Sequence, residues 1–157
     1  MSKRSDIADE VIRRLKTITP APVRFVDGTG GIWGNWGRSL PAVHYYEKPD
    51  ERVIVKRGMY QITMPVQIEF IIRVNNKSLM YDEGRLKLEQ IISAIEIDER
   101  LRSAVTEKDT VIDYYSVSTE IIDIMDDVLG VGIIYEFVYA DKHKGYEVRR
   151  PHIPSNV

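Results

Sequence analysis

The stretch YQITMPVQIEFIIRV, residues 60–74, decides the fold. Its even positions are Tyr60, Ile62, Met64, Val66, Ile68, Phe70, Ile72 and Val74; its odd positions are Gln61, Thr63, Pro65, Gln67, Glu69, Ile71 and Arg73. A side-chain period of two puts one set on each face of a sheet. At ~3.3 Å per residue the run extends roughly 50 Å, whereas an ordinary strand has about five or six residues. A ribbon of this length reaches beyond its own domain. Pro65 falls in the polar set and cannot donate to a ladder, so it marks an edge or a bulge. A long edge left open invites pairing with another chain. The ribbon therefore points to assembly, with Ile62, Met64, Val66, Ile68 and Phe70 as candidate contacts between subunits.

The flanking segments fill in an α+β fold. Residues 5–17 read as an amphipathic helix with Ser5 as N-cap; Ile7, Val11, Ile12 and Leu15 share a face, and Pro20 and Pro22 forbid continuation. Residues 42–47 and 52–56 read as strands joined by the turn signature Lys48-Pro49-Asp50. After the ribbon, Asn75-Asn76-Lys77 breaks the chain and Ser78 caps a helix over residues 79–97. Met80, Leu88, Ile91, Ile92 and Ile95 form its stripe, with Gly84 leaving room for a close neighbour. Residues 98–105 continue that helix or start a short second one. Residues 110–117 and 131–140 read as strands, and the second is apolar on both faces. Between them an acidic stretch ends in a turn at Asp126-Asp127 and Gly130. The expected architecture is a mostly antiparallel sheet with a long ribbon and helices packed on one side. Residues 1–141 form one domain, with a Gly/Trp-rich loop at 27–37; residues 142–157 form a basic arm with Lys142, Lys144, Arg149 and Arg150.

A chain of 157 residues with 43% hydrophobic and 29% charged composition fits one globular domain with a sizeable core. A net charge of -2 argues against a protein that coats nucleic acid over its whole surface. With no cysteine there is no disulfide framework and no thiolate chemistry. No apolar run approaches the ~20 residues of a membrane span, so no membrane partner is expected, and the N-terminus has no signal-peptide core.

Catalytic motifs do not assemble. The run Gly28-Thr29-Gly30-Gly31-Ile32-Trp33-Gly34 has Trp33 where a dinucleotide fingerprint needs its last glycine, and no Gly-Lys-Ser/Thr follows. Trp33 and Trp36 read either as anchors for a partner or as side chains folded back on the core. His44, His143 and His152 lack zinc spacing. No Asp or Glu is followed two residues later by Lys, as a strand-borne nuclease site requires. Glu120, Asp123, Asp126 and Asp127 read as a hydrated acidic surface or as a cation site for a small metal-dependent enzyme. No catalytic, metal or cofactor site is expected.

The order and texture of these elements resemble the tail terminator family of long-tailed bacteriophages, also called tail completion or tail-to-head joining proteins. The resemblance spans residues 5–140. It is carried by the apolar-to-proline exit at 17–22, PAVHYYEK entering the sheet, YQITMPVQIEFIIRV ahead of LMYDEGRLKLEQIISAIE, and GVGIIYEFVYAD at the end. It implies a non-enzymatic ring, usually hexameric, in the virion at the tail-neck junction. That ring would cap the tail tube, meet a tube protein and a neck or connector protein, and let genomic DNA pass without specific binding. Another neck, head-tail adaptor or tube component is the alternative within the same class. A lumen that must not grip DNA favours acid over base, so some of Glu120, Asp123, Asp126 and Asp127 are expected on the lumen wall.

Overall fold

A computed structural model describes residues 3–18, 24–27, 40–96, 111–125 and 127–142. In chain order these form α1 (Lys3–Leu15), β1 (Arg24–Asp27), β2 (Ala42–Glu47), β3 (Glu51–Lys56), β4 (Met59–Arg73), a 3-10 turn (Lys77–Leu79), α2 (Met80–Ile95), β5 (Val111–Met125) and β6 (Val128–Lys142). The six strands make one sheet in the order β1-β2-β4-β6-β5, with β3 also paired to β4. Only the β1–β2 pair is parallel. The fold is the expected α+β arrangement of a mostly antiparallel sheet with helices on one side.

The ribbon is β4, and its alternation is real, but its place in the sheet differs from the expectation. β4 is no edge. β6 pairs with it from Met59↔Lys142 to Arg73↔Val128, while β2 and β3 share its other side. Its inward set, Ile62, Met64, Val66, Ile68 and Phe70, is at most 1% exposed. These five pack with Ile7, Val11 and Leu15 of α1 and with Ile91 and Ile95 of α2. They form the subunit's own core, so their assignment as intersubunit contacts is overturned. Each such burial is worth about 1.5–3 kcal/mol, which a neighbouring copy would have to replace.

Pro65 shows how an interior strand tolerates proline. β2 ends opposite Val66 and β3 begins opposite Thr63, so the connection at 48–50 bulges beside Pro65. The Pro65 carbonyl accepts from Lys48 N at 2.9 Å. Its nitrogen faces the same gap, where no ladder bond is needed. Pro65 therefore marks neither an edge strand nor a bulge in β4, whose register with β6 is unbroken there, but the gap between β2 and β3.

Helix ends shift for local reasons. α1 runs two residues earlier than expected, putting Ser5 inside its first turn; Lys3 Nζ ties that turn to Ala140 O at 2.5 Å. At the other end the Thr17 hydroxyl and Thr17 N both donate to Arg14 O, at 2.6 and 3.1 Å, tightening the last turn. Ahead of α2 the capping side chain is Asn76 and not Ser78: Asn76 Oδ1 accepts from Ser78 N at 3.1 Å. On α2 the buried positions are Met80, Gly84, Lys87, Ile91 and Ile95. A Cβ on Gly84 would lie 2.8 Å from Ile121 Cγ2 and 3.2 Å from Leu129 Cδ2, so glycine lets α2 close on β5 and β6.

The acidic stretch expected to connect two strands and end in a turn is mostly strand itself. β5 continues to Met125 and β6 starts at Val128, so three strands have 15 residues each. Trp33, Trp36, Asp126, residues 98–105 and the arm beyond Lys142 lie outside the described residues.

Candidate functional site

Two features of the sheet stand apart from the core: its free edges and the row of ionisable groups on the face away from the helices. Among the described residues, β1, β3 and β5 each have one side without a paired strand. β3 has all six residues exposed, with Val53, Ile54 and Val55 at 58%, 65% and 52%. Three consecutive apolar residues open on both faces of an edge strand form a template for another chain. The β3–β4 hairpin turns at Arg57-Gly58, where Gly58 supplies the φ of 78° that the turn requires. Glu51 is the one acid here against Arg52, Lys56 and Arg57.

β5 is the opposite kind of edge. It carries Asp113, Glu120 and Asp123 with no Lys or Arg. Residues 113 and 115–118 are exposed, including the large apolar groups of Tyr115 and Val117. Tyr114 turns inward, stacking on Phe137 at 6.0 Å, while Asp113 Oδ1 accepts from its main-chain N at 2.9 Å. Tyr115 donates its hydroxyl to Glu136 Oε2 at 2.7 Å on the helix-free face, and that bond raises its pKa.

On the helix-free face the register aligns His44, Glu69, Gly132 and Glu120 in one row across β2, β4, β6 and β5. Glycine at 132 puts nothing between the two carboxylates. Glu69 is fully buried, and neither of its carboxylate oxygens has a hydrogen-bond partner. Burial, and then the Glu120 charge, push its pKa up to about 7, against the pull of Lys48. The neighbouring Tyr46 hydroxyl is pushed up to about 12 by burial and by the same two carboxylates. This is a carboxyl that changes charge near neutral pH inside a sheet. Sequence alternation placed Glu69 on the polar face but gave no sign of its burial.

The four acids expected to act together are separated. Glu120 lies opposite Gly132 on the helix-free face, and Asp123 lies opposite Leu129 on the helix side. Asp127 pairs with Arg73 in the β5–β6 turn. Glu120 and Asp123 cannot line the same wall, so at most one of these two faces any lumen. Among the described residues no group of three His, Asp or Glu is placed to hold a metal ion.

No family profile matches the chain, and no curated protein matches it. Among solved structures, it is similar to a chain in the virion of a native gene transfer agent particle. The TM-score is 0.43 at 9% identity, over 83% of this chain and 92% of the other.

Proposed function

We propose that this chain is a structural subunit of a bacteriophage tail-head junction, a terminator-type ring that caps the tail tube and meets the neck. The observation that carries the reading is β3: Val53, Ile54 and Val55 stand exposed on an edge with no strand partner among the described residues. An edge of this composition aggregates unless a defined partner covers it. Closed rings do this by a head-to-tail contact that repeats until it meets itself. The resemblance noted in the sequence adds the location and the tail-tube, neck and DNA partners. On the helix-free face His44 and Glu69 are buried, while Asp113 and Glu120 of β5 are exposed, so the β5 end of that face is the part offered to a lumen. Glu120 then faces the lumen, joined by Asp113 and Glu136, which repel phosphate.

The test is mass together with function. The purified chain should form a species several times 18.1 kDa, and adding it to growing tail tubes should stop elongation. Rings that bind a connector but leave tube growth unaffected would favour the other neck or adaptor role. A mass of one subunit at every concentration, with tube protein present or absent, would refute the reading.

A further inference from the structure

We infer that the slot over Gly132 on the helix-free face is a binding site for a hard divalent cation, Mg²⁺ or Ca²⁺, held between the carboxylates of Glu69 and Glu120. The site belongs to the single subunit and does not depend on the ring reading above.

The register builds the slot. Glu69 of β4, Gly132 of β6 and Glu120 of β5 lie level on three adjacent strands. Level side chains leave a sheet on the same face, and glycine brings none, so the two carboxylates face each other across the middle strand. Their main chains are two strand spacings apart, roughly 10 Å. Glutamates leaning in from that separation bring their oxygens to either side of one ion, which takes oxygen ligands at about 2.0–2.6 Å. Tyr46 of β2 reaches the same spot. Its hydroxyl feels the charges of both Glu69 and Glu120, although β4 and β6 separate its strand from β5. A set of donors made only of oxygen suits Mg²⁺ or Ca²⁺ and not a softer metal.

Glu69 itself points to a ligand. Acids that merely share a surface stay hydrated, but Glu69 is 0% exposed and neither of its oxygens has a hydrogen-bond partner. A carboxylate shut away from water without a donor is costly unless positive charge reaches it. The basic groups facing it are His44, next to it in the row, and Lys48, in the β2–β3 connection. The Lys48 charge acts on Glu69 without a hydrogen bond to either oxygen. A small cation supplies what these do not, since it fits between the two carboxylates and neutralises both. Glu120 is exposed, so the slot opens at the β5 edge, where water completes the coordination shell. Two protein carboxylates are then enough, as is usual for Mg²⁺, which keeps several of its waters. The bound ion ties the edge strand β5 to the central strand β4.

The full-length chain, stripped of metal with a chelator and dialysed, is titrated with magnesium chloride and with calcium chloride in separate calorimetry arms, at mildly alkaline pH so that the carboxylates are ionised. One ion should bind per subunit, and the tighter arm names the ion. At an ion concentration about 100 times the dissociation constant, the thermal unfolding midpoint should rise by roughly 5–10 °C. E69Q and E120Q should each weaken binding about tenfold or more, because affinity follows the charge of the ligand set; Glu120 is exposed, so E120Q keeps the fold. Lys48→Gln should tighten binding about threefold by removing a competing positive charge. Asp123→Asn removes an equal charge from the same strand but from the other face, and should leave binding unchanged. No binding of either ion at millimolar concentration overturns the site. So does a midpoint shift that potassium chloride reproduces at equal ionic strength, or an Asp123→Asn loss as large as that of E120Q.

Discussion

Replacing Glu69 by Gln removes a group whose burial makes the fold sensitive to pH. Glu69 is fully buried in the central strand, with Glu120 across Gly132 in the same row. Its folded-state pKa of about 7 lies above its ordinary value of 4.5. Between those two values the folded chain holds a proton that the unfolded chain has released. Unfolding then releases a proton, so stability falls as pH rises through this window and is level on either side of it. At about 1.4 kcal/mol per pKa unit the full effect is about 3.5 kcal/mol, and relaxation and water entry bring it to roughly 1–3 kcal/mol. The assay is urea unfolding at pH 4.5, 5.5, 6.5, 7.5 and 8.5 (about one unit apart), at one fixed protein concentration, for the native chain and E69Q. The difference between the two curves isolates Glu69 from every other titrating group. E69Q should match the native chain near pH 4.5 and exceed it above pH 7 by that amount. Adding E120Q to the native chain should narrow the window by removing the like charge. Parallel pH profiles for the native chain and E69Q would refute the reasoning, because they would mean that the carboxyl keeps an ordinary pKa.

Gly84→Ala should destabilise by about 1–3 kcal/mol in thermal unfolding, despite the better helix propensity of alanine, because the added carbon falls 2.8 Å from Ile121 Cγ2. Arg14→Ala should cost about 1.5–3 kcal/mol by denaturant titration: the buried guanidinium donates to Ile95 O and to Glu10 Oε1, both at 2.9 Å, and holds α1 to the end of α2. Ile54→Asp should leave the unfolding free energy of the subunit within about 0.5 kcal/mol, as expected for an exposed site, while abolishing the assembled species in sedimentation.

Legibility in the sequence followed the range of the interactions. The alternation of residues 60–74 identified β4 and sorted its faces, because a period of two is a property of the strand alone. The same local logic placed α1, β2, β3 and most of α2, and marked Gly84 as a close approach. Pairing is not local, so the ribbon's position in the sheet was misread. Nothing in Ile62 or Phe70 distinguishes a surface awaiting another subunit from the core beneath α1 and α2. β5 was cut short at 117 because Glu120 and Asp123 look like a loop; opposite Gly132 and Leu129 they are strand residues on opposite faces. The helical pattern gave no sign that Lys87 is buried: its ammonium lies 4.9 Å from the centre of the Phe70 ring, and burial lowers its pKa. Glu69 was one polar residue among several until the register set it beside Glu120 across a glycine. The sequence by itself determined which residues form strands and helices and which face each presents, since those depend on neighbours along the chain. Only the tertiary structure decided which strands are central and which are edges, and which charges lie buried together, since these depend on residues far apart in sequence.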